Sequence, residues 1–180
     1  METMFENEYV RVVRAILVRG QRAPAYSPAA KQMVRIQLAP GALHGTVSFS
    51  DNGSPEKANV PVNKDIDETR VELKASIKSR PMELDAVRID PRRYKVVLEN
   101  GLVRVVRLRF EGREAGLMVT HPPRVLATLT DVQVRLLFVD GRRDEPGAPA
   151  GVAAWLEEET LQTENAREVP LEVILVEPKG

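Results

Sequence analysis

The sequence predicts an all-β protein, a sandwich or barrel built from many short strands. Apolar and polar residues alternate over short segments along most of the 180 residues, which is the pattern of half-buried strands. Turn signals such as Asn100-Gly101 and Asp140-Gly141 separate these segments. No segment has a convincing helical period, and one five-residue word, VRVVR, occurs twice.

The strands of the N-terminal half follow from this alternation. Residues 20–32, which include Pro24, Tyr26 and Pro28, are predicted to form a loop. A strong turn signal, Asp51-Asn52-Gly53, closes the third strand. The fourth strand is expected to have one solvent-exposed face, because Arg70, Glu72 and Lys74 alternate with apolar residues. The predicted strands cover residues 8–19, 33–38, 43–49 and 69–73.

The C-terminal half carries the clearer signals. Residues 82–89 are expected to form a short strand or a helical turn, and residues 142–151, rich in Pro and Gly, a loop. Glu157-Glu158-Glu159 is predicted to be an acidic turn. The predicted strands cover residues 94–98, 103–110, 125–129, 132–138, 152–156 and 171–175.

The repeated word indicates two copies of one β unit. It stands at Val10–Arg14 and at Val103–Arg107, each time three positions after an asparagine. The alternation slips in phase at the double valine of each copy, which predicts a β-bulge in both. Three further matches extend the repeat: residues 27–28 with 121–122, residues 49–51 with 138–140, and residues 71–73 with 173–175.

Composition narrows the range of partners. Lysine plus arginine and aspartate plus glutamate each number 26, and no basic stripe occurs, so we expect neither nucleic acid nor an anionic membrane as a partner. The absence of cysteine excludes disulfides and thiolate metal sites. Residues 1–8 contain three glutamates and no basic residue, unlike a secretory signal, and no apolar run approaches the roughly 20 residues of a membrane span. These features predict a cytoplasmic protein.

Several short sequence motifs in the C-terminal half resemble those of cupins. Cupins are small β-barrels of two facing sheets and are also called double-stranded β-helices. The words are MVTHPP at Met118–Pro123, then Gly151, Trp155 and Asn165, and finally LEVILVE at Leu171–Glu177. The resemblance implies a jelly-roll-like barrel. It transfers the fold more readily than the function, because one fold hosts many activities.

The resemblance covers residues 94–179 directly and residues 7–74 only through the internal repeat. The whole therefore resembles a bicupin, with a degenerate N-terminal unit at 1–78 and a C-terminal cupin unit at 79–180. The first unit is expected to be truncated, because the stretch from Phe49 to Val71 is shorter than its counterpart in the second unit. A chain with two such units can supply the usual dimer contact itself, so we expect a monomer, with a homodimer as the alternative.

The resemblance also implies where a metal ion would bind. Metal-binding cupins carry two histidines and a glutamate in the first motif and a third histidine in the second. In this chain the first histidine position is Val119, the second is His121, and the third is Leu161, while the glutamate would fall near Val125 or Leu126. One imidazole with aliphatic side chains cannot hold a metal ion, so the resemblance implies a metal-free protein with no cofactor.

Two alternatives keep a chemical role for His121. Metal-free sugar epimerases of this superfamily pair a histidine with a carboxylate and a tyrosine, which would make His121 the acid or base of an isomerase or lyase. The candidate carboxylates are Glu157, Glu159 and Glu164. A rebuilt metal site would instead combine His121 with Glu157 or Glu159.

The sequence thus predicts a degenerate, metal-free cupin that binds a small-molecule ligand in an apolar barrel or serves as an interaction module. Whether it is an enzyme stays open. The ligand pocket is expected around Val119, His121, Leu161 and Trp155, although Trp155, like Tyr94, is more typical of packing at the core or rim.

Overall fold

The computed structural model describes residues 1–23, 30–51, 60–78 and 81–179, and these are almost entirely strands and turns. The predicted all-β class is therefore confirmed. The chain divides into two compact units, Met1–Ile77 and Lys78–Gly180. The predicted loop around Tyr26 with Pro24 and Pro28, like Asn52-Gly53 of a predicted turn, lies outside the described residues.

The described residues of the first unit form a single antiparallel sheet in the order β1-β2-β5-β3-β4. Strand β1 was not predicted, because its sequence, ETMFE, lacks alternation. The prediction that the fourth strand has a solvent-exposed face is wrong for Arg70 and Glu72, both 0% exposed. Arg70 is held by Glu68, whose carboxylate accepts from its Nε at 2.6 Å. The strands are β1 (Glu2–Glu6), β2 (Val10–Leu17), β3 (Gln32–Gln37), β4 (Val47–Ser50) and β5 (Ile66–Leu73).

The second unit contains two antiparallel sheets and one short helix, α1 (Ala86–Ile89), which the carboxylate of Asp85 caps by accepting from the Arg88 amide at 3.2 Å. Among the described residues, no helix is long and apolar enough to cross a membrane. The strands are β6 (Tyr94–Glu99), β7 (Val103–Phe110), β8 (Val119–His121), β9 (Arg124–Thr128), β10 (Val132–Phe138), β11 (Arg143–Asp144), β12 (Gly147–Ala148), β13 (Ala153–Leu156), β14 (Glu159–Asn165) and β15 (Leu171–Pro178).

One sheet of the second unit has the order β13-β9-β15-β7-β6, and the other has the order β11-β10-β14-β8, with β12 also paired to β10. Aliphatic residues of both sheets, including Leu108, Val134 and Val173, share one buried core cluster. Two predictions need correction here. The predicted loop at 142–151 contains the short strands β11 and β12, and Glu159, expected in an acidic turn, begins β14.

The internal repeat is visible in the register of the strands. Val12 pairs with Val71 between β2 and β5, and Val105 pairs with Val176 between β7 and β15. The sheet order β1-β2-β5-β3-β4 therefore matches β6-β7-β15-β9-β13 strand for strand. By this register, residues 71–73 of the first copy correspond to residues 176–178 of the second copy, and not to residues 173–175 as the sequence comparison suggested. It also matches β4 with β13, so the proposed match of residues 49–51 with 138–140 is wrong.

The predicted bulges occur in both copies, but on the neighbouring strand. The register shifts between Thr3 and Phe5 on β1, and between Val96 and Leu98 on β6. Strands β2 and β7 themselves pair without interruption with β5 and β15. Both faces of these central strands carry buried valines, and this burial, rather than an extra residue, explains the apparent slip in phase.

Candidate functional site

A cavity of about 390 Å³ is lined by residues of both sheets of the second unit. Its volume lies within the range of small-molecule sites. Alternate residues of each strand point into it, as the pleat of a β-sheet requires. Most of the wall is aliphatic or aromatic, formed by Leu108, Leu126, Val132, Val134, Leu136, Phe138, Leu156, Leu161, Leu171, Val173 and Leu175.

The buried polar side chains of the cavity wall include His121 at the end of β8 and Arg124 at the start of β9, each 3% exposed. Arg124 donates through Nη2 to Oε1 of Glu159 at 2.7 Å. Its Nη1 reaches the main-chain carbonyls of Pro122 and Glu157, both at 3.2 Å. Register places Glu159 directly across from His121, so strand pairing brings these groups together.

His121 contacts Tyr94, the first residue of β6. The Tyr94 hydroxyl lies 3.5 Å from Nε2, at the outer limit of a hydrogen bond, and the two rings are tilted with centroids 5.4 Å apart. Among the described residues, His121 Nδ1 and Arg124 Nε have no hydrogen-bond partner. Two buried nitrogens of the cavity wall are therefore left without protein partners.

Burial determines the protonation states of His121 and Tyr94. Desolvation lowers the pKa of His121 well below its ordinary value of 6.5, and the positive charges of Arg124 and Arg104 lower it further. The imidazole is therefore neutral near neutral pH. Desolvation also raises the pKa of Tyr94, so its hydroxyl keeps its proton.

A second polar group lies close by and consists of Arg104 on β7, the buried Glu177 on β15, and Asp85 at the start of α1. Arg104 donates to Glu177 at 2.5 Å and to Asp85 at 2.7 Å. Burial raises the pKa of Glu177, and the positive charge of Arg104 opposes this shift. These three residues line a separate cleft of about 330 Å³. Of the three, Arg104 supplies the positive charge that acts on His121, and it does so without lining the 390 Å³ cavity.

No protein-family model matches the sequence, and no curated protein matches it. Solved structures do match. The protein YhaK from Escherichia coli is similar over 100% of this chain and 92% of its own, with a TM-score of 0.52 and 13% identity. A cupin 2 conserved barrel domain protein from Leptotrichia buccalis is similar over 97% of this chain and 86% of its own, with a TM-score of 0.50 and 11% identity. The chain has the fold of the cupin superfamily. Identities this low carry the fold and no activity.

Within this cupin barrel, the structure brings three of the four expected pocket residues together. Val119 and Leu161 are cross-strand partners, and His121 follows two residues after Val119 on the same strand. His121 and Leu161 line the cavity, whereas Val119 is fully buried in the core beside it. Trp155 does not line the cavity. It pairs with Val125, and its indole donates to Glu157 at 2.7 Å.

The carboxylates that the sequence offered to His121 have other partners. Glu157 accepts from Trp155, Glu159 from Arg124, and Glu164 from the exposed Arg135 at 2.8 Å. In the part of the chain that the structure describes, no group of three or more His, Asp or Glu residues could hold a metal ion. One imidazole with the aliphatic Val119 and Leu161 at the neighbouring positions does not supply the ligands that a metal ion requires.

Two residues of the site were missed from the sequence, Arg124 and Tyr94. Arg124 precedes an apolar strand, so it resembles a flanking surface residue. Its phase with Leu126 and Thr128, the alternate positions of β9, is the signal that could have identified it. Tyr94 was assigned to packing, and its proximity to His121 depends on tertiary structure.

Proposed function

We propose that the second unit is a metal-free binding module that holds an apolar or amphipathic small molecule in its barrel cavity. The observation that carries this proposal is the 390 Å³ cavity, whose wall is mostly aliphatic. Such a wall offers water few hydrogen bonds, so an apolar ligand that displaces water removes apolar surface from water on both sides. His121 and Arg124 would orient the ligand.

Filling the cavity tests this proposal. Leu156 lines the cavity, and Leu156→Trp should occupy part of its volume. The matched control is Leu102→Trp, because Leu102 is 41% exposed and lies outside the cavity wall. The probe is n-butylbenzene, followed by amide shifts in ¹H–¹⁵N spectra. We expect binding to the wild type and to Leu102→Trp, and a loss of about tenfold or more in Leu156→Trp. Equal binding to both variants, or none to the wild type, would contradict the proposal.

A second candidate function is a metal-independent isomerase or lyase in which His121 moves a proton. The observation that favours it is the Tyr94 hydroxyl 3.5 Å from His121 Nε2. Against it stands the lowered pKa of His121, which makes the imidazole a weak base. Hydrogen–deuterium exchange next to the carbonyl of 4-phenylbutan-2-one in D₂O tests this candidate. Exchange that is faster than without protein and is lost in His121→Phe would support it, and exchange at the protein-free rate would exclude this proton transfer.

A further inference from the structure

The barrel cavity opens to solvent beside the hairpin that joins β10 and β11 and along the segment after it. Four lining residues of this region are exposed, namely Arg142, Asp144, Pro146 and Gly147, whereas Leu108 of the aliphatic wall is buried. A charged head loses much free energy when it leaves water. A ligand with an apolar body in the cavity would therefore keep a charged head at this opening.

The turn of the hairpin places Arg142 against the cavity wall. The Phe138 amide donates to the Arg142 carbonyl at 2.9 Å, and Leu137 pairs with Arg143, so Phe138 lies opposite Arg142. Opposite residues of an antiparallel pair project to the same face. The guanidinium carbon of Arg142 lies 3.7 Å from the centroid of the Phe138 ring, which is part of the cavity wall. Stacking holds the guanidinium at the opening and leaves the N–H groups, which lie in its plane, able to donate outward.

Arg142 has no acidic partner among the described residues. The cavity lining also contains Arg124, which differs because it pairs with Glu159 at 2.7 Å. Asp140 and Asp144, on either side of Arg142 in the sequence, accept from main-chain amides instead. These amides belong to Arg142, at 3.0 Å, and to the residue after Asp144, at 2.9 Å. The opening therefore presents a cation whose charge is not neutralised by a described carboxylate.

The charges at the opening favour a ligand with a single negative charge. A carboxylate matches a guanidinium with two parallel N–H···O bonds. Asp144 also lines the cavity and repels an anion, so a second negative charge on the ligand would add repulsion. Of these two ionised groups, Arg142 is stacked on the wall through Phe138, whereas Asp144 already uses one oxygen to accept from the main chain. Arg142 is therefore the better placed of the two to bind a charged head.

We propose that the ligand of the barrel is an amphipathic monocarboxylate, whose apolar body occupies the cavity and whose carboxylate accepts from the Arg142 guanidinium at the opening. This inference rests on the proposed function, because it assumes that the cavity binds a ligand. It assigns Arg142 as the residue that selects the ligand by its charge.

Three probes with a common phenylalkyl body test the inference on the full chain at low ionic strength, where an exposed charge pair is screened least. They are 4-phenylbutanoate, 4-phenylbutanamide and 4-phenylbutylammonium, whose heads are negative, neutral and positive at neutral pH. Dissociation constants come from titrations followed by amide shifts in ¹H–¹⁵N spectra. We expect the carboxylate to bind about fivefold tighter than the amide, and the ammonium to bind most weakly.

Arg142→Glu and Arg143→Glu form a matched pair of variants. They change the net charge equally at neighbouring exposed residues, but Arg143 projects to the opposite face and does not line the cavity. We expect Arg142→Glu to weaken the carboxylate by about tenfold or more and to make the ammonium the tighter of the two. Arg143→Glu should change each constant by less than about twofold. Equal binding of the amide to both variants shows that the cavity is intact.

The acidic residue of the opening gives an independent check. Asp144→Asn removes the repulsion and should tighten the carboxylate by about twofold. If the amide and the carboxylate bind the wild type equally, if the ammonium binds it best, or if the two glutamate variants behave alike, the inference is wrong and the proposed function stands. If neither these probes nor n-butylbenzene bind the wild type, both are wrong.

Discussion

His121 is a buried imidazole whose neutral form is favoured by desolvation and by two nearby arginines. Its pKa is lower in the folded state than in the unfolded chain, so between the two values the unfolded state binds more protons. The free energy of unfolding should therefore fall as pH drops below about 6.5, and continue to fall down to the folded pKa. Urea unfolding at a series of pH values measures this slope.

The variant His121→Phe isolates the contribution of His121. Glu177 acts in the opposite sense, because burial raises its pKa and the folded state then binds more protons above 4.5. The difference between wild type and His121→Phe cancels the contribution of Glu177. We expect this difference to depend on pH below about 6.5. A pH-independent difference would mean that His121 keeps an ordinary pKa in the folded protein.

Gly112 leaves almost no room for a side chain. A Cβ at this position would lie 2.0 Å from the main-chain oxygen of Glu168, which cannot move as a flexible side chain can. We expect Gly112→Ala to lower the free energy of unfolding by about 2 kcal/mol or more. The control is Gly101→Ala, where nothing lies within 4 Å, and its effect should stay within about 1 kcal/mol. Equal urea midpoints for the two variants would contradict this account.

At the scale of the elements, the alternation of apolar and polar residues was enough to predict strands whose inward residues are all apolar. It did not predict strands in which polar residues are buried. Strand β14 was missed because Thr163 and Asn165 take inward positions beside Leu161. Asn165 is fully buried and donates to the carbonyls of Glu111 and Val169 at 2.9 and 2.8 Å. Its burial is stabilised by hydrogen bonds that the sequence does not display.

Those hydrogen bonds make Asn165 a structural residue of β14. Asn165→Ala removes the donor to two carbonyls, and we expect a loss of about 2–4 kcal/mol in the free energy of unfolding. The neighbouring Glu164→Ala breaks only an exposed ion pair with Arg135 and should cost less than about 1 kcal/mol. Thermal or urea unfolding compares them. A cost for Asn165→Ala no larger than that of Glu164→Ala would show that these two bonds contribute little.

Buried polar residues, which the alternation pattern does not reveal, also explain why only part of the candidate site could be predicted from the sequence. The resemblance grouped His121, Val119 and Leu161 at one site, because it assigned each of them to a position in a short motif. It did not identify Arg124. Both faces of β9 are buried, so Val125 and Ala127 looked like the inward side, whereas Leu126 and its alternate neighbours line the cavity. With both faces covered, alternation does not say which of them meets the ligand.

At the scale of the whole molecule, the two copies of the repeat form separate sheets with the same strand order, but the side chains on the corresponding faces differ in polarity. In the second unit, Leu126 pairs with Leu175, and both line the cavity. The register of the first unit puts Arg35 and Arg70 at the corresponding positions, paired in the same way. The face of the first sheet that corresponds to the cavity wall is therefore charged. Among the described residues, it is the second unit that has the apolar cavity wall on which the proposed ligand binding depends.

This difference leads to a prediction about the units as separate chains. A stable domain needs at least two packed layers around a core, and a lone sheet has none of its own. The described residues of the first unit form one sheet with a small buried cluster of Leu17, Ala23 and Val62, whereas the second unit has two sheets that share a larger core cluster. We expect a chain of residues 78–180 to give dispersed amide signals and cooperative thermal unfolding, and a chain of residues 1–77 to give neither. Cooperative unfolding of 1–77 alone would mean that a single five-stranded sheet of this sequence is stable without a second layer, and the repeat would then consist of two independent domains rather than one barrel and a sheet.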